Sequence, residues 1–148
     1  IDENDLNTLI SSDDISYKKR IKIIENFNKE DISNEDEIAN IICIKILSAK
    51  KEGRESILNE VLHSRIPINI RLKILLSQLD NINEAETFEG FKKLGSPYSE
   101  ISEFGKKPLI DRNEVTEKII SKIFDLKYIS SYKFEKDKIR INTFKKNK

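Results

Sequence analysis

The sequence predicts a mainly α fold: repeat-like helical hairpins, then a winged-helix-like lobe that closes on a C-terminal antiparallel β-hairpin. Three observations carry that expectation. Isoleucine and leucine recur at three- and four-residue spacing through most of the chain, the signature of helices with one buried stripe. From Asp111 to Leu126 the stripe is long and regular, and beyond Lys127 the period falls to two with no linker between. Glycine and proline are few, 4 and 3 in 148 residues, and apart from Gly90 they fall between the periodic stretches, where chain breakers belong. The expected division is a helical lobe over 1–94 and a winged-helix-like lobe with a basic tail over 95–148. A chain of this length holds one domain or two small lobes sharing an interface.

The elements follow in order. Leu6, Leu9 and Ile10 have helical spacing in an acidic opening that breaks at Asp13 and Asp14. A helix is expected over 16–28 on Ile21, Ile24 and Phe27. Asn34 with Glu37 three residues on predicts a capping box, in which the two side chains serve free amides of the first turn. The helix it starts should run to about Lys50 and bury Ile38, Ile41, Ile42, Ile46 and Ala49, with Gly53 as its stop. A shorter helix over 55–64 carries Ile57, Leu58, Val61 and Leu62. The next, from Pro67 to about Leu79, is apolar almost all round and so belongs at the centre of the core. Asn83-Glu84-Ala85-Glu86 repeats the cap chemistry and opens a helix to Leu94.

Two blocks resemble each other. Arg20-Ile21-Lys22-Ile23-Ile24 recurs as Arg71-Leu72-Lys73-Ile74-Leu75, and the cap at Asn34 recurs at Asn83. Such recurrence fits a helical-pair repeat, as in α-solenoids, or coincidence in a chain rich in isoleucine and lysine. Past Gly95-Ser96-Pro97 a short helix over 98–104 should turn Ile101 and Phe104 inward. Gly105-Lys106-Lys107-Pro108 turns the chain. Asp111 is expected to cap the long helix, which buries Val115, Ile119, Ile123 and Leu126, flanked by Ile120 and Phe124. Two strands follow, with Glu135-Lys136-Asp137 as their turn.

Charge is balanced in total, 27 basic against 26 acidic residues, but not in place. Residues 1–37 hold eleven acids against five bases, and residues 127–148 hold eight bases against two acids. A chain so polarised suits a polyanion at its basic end, or an acidic protein partner. No stretch approaches the roughly 20 apolar residues of a membrane span, so no membrane is expected in this fragment. One cysteine forms no internal disulfide, which points to a cytoplasmic location. The absence of methionine implies that these residues come from a longer polypeptide.

Few residues offer chemistry. His63 and Cys43 are the sole members of their types, and Cys43 lies among Ile41, Ile42 and Ile44 as a core thiol. No catalytic, cofactor-binding or metal-ligating set is expected. The acidic clusters lack the glycine and spacing of a calcium loop, and no phosphate-binding loop is present. The basic hairpin remains. Lys133, Lys136, Lys138 and Arg140 line the expected wing, with Arg112 and Lys127 bracketing the helix before it. They are the candidate contacts to a nucleic acid or a protein. Lysines on a ribbon can pair with DNA phosphates, or simply keep a sheet edge from pairing with others. Glu114 and Glu117 on the preceding helix would face a phosphate groove, which favours a protein partner over DNA.

The block from Leu94 to Thr143 resembles the C-terminal end of large bacterial P-loop NTPases of the YobI-like type. The residues that carry the resemblance are Leu94-Gly95 with Tyr98, the Gly105-Lys106-Lys107-Pro108 turn, and Tyr128-Ile129-Ser130-Ser131-Tyr132 before a basic strand. The resemblance implies a parent with an ATPase module elsewhere. This fragment would then be a non-enzymatic interaction or regulatory module that binds other segments of the parent or another protein, with DNA as the alternative.

Overall fold

The computed structural model describes residues 3–27, 32 and 34–146. Asn28, expected as the end of the second helix, and Lys148 of the basic tail lie outside the described residues. The chain divides into two compact units, 1–78 and 79–148. It is mainly helical, with a small three-stranded antiparallel sheet near the C-terminus. The boundary expected after Leu94 falls inside the second unit.

The first unit holds α1 (Glu3–Ser11), α2 (Tyr17–Asn26), α3 (Glu35–Ile42), α4 (Arg54–His63) and α5 (Ile68–Gln78). Helix α5 packs on α3 and α4, and buries Ile70, Leu72, Ile74 and Leu75 as its all-round apolar composition requires. Each such side chain, taken fully out of water, is worth about 1.5–3 kcal/mol before chain entropy is counted. Ser16 caps α2 by accepting the Lys19 amide, and Asn34 caps α3 by accepting that of Glu37 at 3.1 Å. These acceptors satisfy amides that have no partner within the helix.

The helix expected to run unbroken to Lys50 instead widens into a π-helical turn over Cys43–Leu47. One more residue per turn rotates the buried face. Ile46 and Leu47 are therefore both inside, whereas Ile44 and Ala49, the latter expected in the core, are exposed. Cys43 is half-buried rather than a core thiol. Its Sγ lies 3.2 Å from the Ser77 hydroxyl, and burial raises the thiol above its ordinary pKa of 9.0 against the opposing pull of Ser77 and Gln78.

Two arginines perform the same task at different places. Arg20 of α2, 6% exposed, donates to the carbonyls of Ile10 and Ser12 at the end of α1. Arg71 of α5 donates to the carbonyls of Leu62 and Ile66, at 2.8 and 2.7 Å, where α4 ends. The last carbonyls of a helix have no partner in the helix and carry its negative dipole end, so a guanidinium satisfies both needs. Ser64 completes the end of α4 by donating its hydroxyl to Val61 O.

The second unit begins with a 3₁₀ turn, Leu79–Asn81. It continues through α6 (Glu84–Lys93), α7 (Tyr98–Ile101), β1 (Leu109–Asp111), α8 (Glu114–Asp125), β2 (Ile129–Glu135) and β3 (Lys138–Thr143). The full capping box at Asn83 and Glu86 is present. The sheet order is β1-β3-β2, so the expected hairpin is there and a third strand with it. Residues 105–112 stay in one antiparallel register with 137–144. Beyond the three pairs of β1, the amide of Gly105 donates to Phe144 O at 2.9 Å and that of Arg112 to Asp137 O at 2.7 Å.

That extra strand corrects two expectations. Asp111 lies in β1, and Asn113 caps α8 by accepting the Thr116 amide at 2.9 Å. Phe104 is 63% exposed rather than turned inward, because the helix ends at Ile101 and the chain must swing out to reach β1. Helix α8 buries Thr116, Ile119, Ile120 and Ile123, while Val115 and Leu126 are only half-buried and Phe124 is exposed.

The passage from helix to strand needs no linker because α8 ends in a Schellman motif. Lys127 adopts φ 64 and its amide bonds to Phe124 O, and the Tyr128 amide bonds to Ile123 O. The left-handed residue reverses the chain within one position and β2 starts two residues later.

Candidate interaction surface

The outer face of the sheet carries Lys133, Lys138 and Arg140 of the predicted cations, and the cross-strand register determines which of these are free. Lys138 lies opposite both Asp111 and Glu135, and Arg140 lies opposite Leu109 and Lys133. Lys138 pairs with Asp111, and Arg140 with Glu135 at 2.6 Å. The Asp111 carboxylate holds the Lys138 ammonium above its ordinary pKa of 10.5, chiefly through their hydrogen bond. Arg112 pairs with Glu117 of α8, sits 4.9 Å over the Phe134 ring and donates to Lys136 O. Three of the six candidate cations are therefore neutralised within the unit. Among the described residues Lys127, Lys133 and Lys136 have no ion-pair partner. They lie before, within and after β2.

The inner face at the β2 edge is aromatic. Tyr132 and Phe134 stand opposite Ile141 and Ile139 on the buried side of β3. Their rings lie 5.4 Å apart, and Phe124 of α8 meets Tyr132 edge-on at 5.2 Å. Phe124 and Phe134 nevertheless stay exposed. The reason is local: β2 is an edge strand, and α8 covers only part of the face behind it. Among the described residues β2 pairs with β3 alone, so its other edge offers backbone donors and acceptors. Tyr128 anchors the start of the strand, donating to Glu84 O at 2.7 Å and stacking on Phe88 at 4.5 Å.

The sequence pointed to the basic residues and missed the acids that answer them. Glu117 was visible as a helix-face acid, but Asp111 resembled a cap and Glu135 a turn residue. The exposed aromatics were also missed, since Phe124 fell within an apolar stripe. Elsewhere, His63 lines a groove of 520 Å³ with Lys18, Lys22, Glu25 and Glu60. There Glu25 is already engaged by the Arg65 amide. Among the described residues no group of three or more His, Cys, Asp or Glu is placed to hold a metal ion.

The described residues thus define a mainly helical chain bearing a small antiparallel sheet with an open aromatic edge. The chain is similar to the uncharacterized membrane protein YobI of Bacillus subtilis (strain 168), at 28% identity over 148 residues. The match covers 99% of this chain and 12% of that protein's length. No protein-family model and no solved structure matches the chain. Two expectations are corrected by this. The similar protein is described as an uncharacterised membrane protein rather than as a P-loop NTPase, and the similarity runs the length of the chain instead of its last third. The cytoplasmic location is likewise contradicted by that description, although no helix among the described residues is long and apolar enough to cross a membrane.

Proposed function

We propose that this chain is a non-catalytic protein-interaction module of a longer protein, and that it binds through the β2 edge of its sheet. The observation that carries the reading is the contrast along the hairpin. The cations of β3 are consumed by Asp111 and Glu135, whereas β2 keeps an open backbone edge, with Phe134 on it and Phe124 of α8 behind it both exposed, and Lys127, Lys133 and Lys136 before, within and after it. An extended segment laid along β2 would gain main-chain hydrogen bonds and seat alternate apolar side chains against Phe124 and Phe134. Lysines at both ends and the middle favour an acidic segment.

Behind this surface, we read 79–148 as a winged-helix-like lobe in which α8 precedes the β2–β3 wing. We read α1–α3 and α4–α6 as two copies of one helical plan. The matched roles of Arg20 and Arg71, and of Asn34 and Asn83, support the second reading.

The test is binding of the 148-residue chain to the remaining segments of its parent protein, with wild type compared with Phe134→Ser. Binding that weakens about tenfold in the variant supports the proposal, since one buried phenylalanine is worth at least that much. No binding to any segment contradicts it. The alternative is duplex DNA held by the wing, favoured by Lys127, Lys133 and Lys136. It requires affinity that falls steeply with salt and weakens in Lys133→Ala with Lys136→Ala.

A further inference from the structure

A second exposed surface lies at the opposite end of β3 from the hairpin turn. Gly105, with φ 80, ends the bend after α7, and its amide bonds to Phe144 O at 2.9 Å. Lys106 O accepts both the amide of Thr143 and its hydroxyl, the latter at 2.7 Å. These bonds fasten Gly105 and Lys106 to Thr143 and Phe144. As a result Phe104 and Phe144, 63% and 43% exposed, sit at one corner of the unit, one residue from each other across the pairing. Around them stand Lys106, Lys107, Lys145 and Lys146, all exposed, against a single acid in these segments, Glu103, which pairs with Lys106 at 3.7 Å.

We propose that this corner is a peripheral docking site for an anionic lipid surface. Phe104 sits in the turn after α7 and Phe144 on the extended chain just past β3, and both rings stay exposed, so a partner can receive them without covering the sheet. Aromatic rings at the boundary of headgroup and acyl chain, ringed by lysines, form the chemical pattern of interfacial anchoring. The lysines meet lipid phosphates and carboxylates, and each basic residue near an anionic bilayer is worth roughly fivefold in binding. The corner bears none of the acids that neutralise the β3 cations, which sets it apart from the outer sheet face. This departs from the sequence expectation of no membrane contact. It also stands independently of the β2 edge, which lies on another strand.

The test is sedimentation of the intact 148-residue chain with vesicles of equal parts phosphatidylserine and phosphatidylcholine, beside vesicles of phosphatidylcholine alone. The chain should bind the anionic vesicles, bind the neutral ones far more weakly, and lose its binding as salt rises. Lys145→Glu with Lys146→Glu should weaken binding by about twentyfold or more. Phe104→Ser with Phe144→Ser should abolish retention while leaving the circular dichroism spectrum and melting temperature unchanged, since neither ring is buried. Failure of the wild type to sediment with anionic vesicles overturns the proposal. So does undiminished binding in a folded double-serine variant, and so does a self-associated chain that dissociates when the two phenylalanines are removed, which would make the corner a protein contact.

Discussion

Lys127 shows how much one residue's backbone decides. It holds a left-handed conformation that a side chain with a Cβ disfavours, in order to turn α8 directly into β2. Lys127→Gly should therefore stabilise the second unit by about 1 kcal/mol, measured by urea unfolding, despite removing a surface charge. A loss of stability would mean that the lysine side chain has a role no described contact accounts for. Arg20 is the opposite case. It is buried and serves two carbonyls at once, so Arg20→Ala should cost about 3 kcal/mol in the same assay, and Arg20→Lys should recover little of it. Cys43 yields a pH prediction. Burial favours its neutral form, so the thiol's contribution to stability is intact below pH 9.0 and is lost as pH rises through the higher folded-state value. At pH 9.0 a free thiol is half ionised, and Cys43 should be alkylated much more slowly in the folded chain than in urea. Equal rates would refute its shielding.

At the scale of elements, the hairpin is where sequence and structure differ most usefully. Helix existence was legible because Ile38, Ile42, Leu72 and Leu75 repeat with the period of a buried face. Caps were legible because Asn34 and Asn83 are followed three residues later by glutamate. β1 was not legible: three residues, Leu109-Ile110-Asp111, are too short to show a period, and Asp111 reads equally as a helix cap. The candidate surface was half legible for the same reason. Its cations stand out in the sequence, but the neutralisation of Lys138 depends on β1 lying beside β3, a pairing between segments nearly thirty residues apart in the chain. Breaking that pairing gives a direct test. Asp111→Asn should release Lys138, return its ammonium toward the ordinary value of 10.5, and bring its loss of charge to lower pH in a side-chain NMR titration. In the intact pair, stabilisation is complete below that value and lost as pH rises through the elevated one. An unchanged Lys138 titration would show that Asp111 does not hold it.

At the scale of the whole chain, charge and apolar surface are sorted by place. The first unit buries most of its isoleucines and leucines and places two arginines at helix ends. The second spends its acids on the cations of β3 and leaves aromatic groups uncovered at β2 and at the Phe104–Phe144 corner. Each unit has its own core, so residues 79–148 expressed alone should unfold cooperatively in urea. A chain without a transition would show that the second unit depends on the first. The measurement closest to the central proposal is amide hydrogen exchange along Ile129–Glu135, compared between the isolated 148 residues and the full-length protein. The account predicts that the outward amides of β2 exchange freely in the isolated chain and become protected in the longer protein or its complex, with the amides of β3 little changed. Equal exchange of β2 in both would contradict strand addition at this edge.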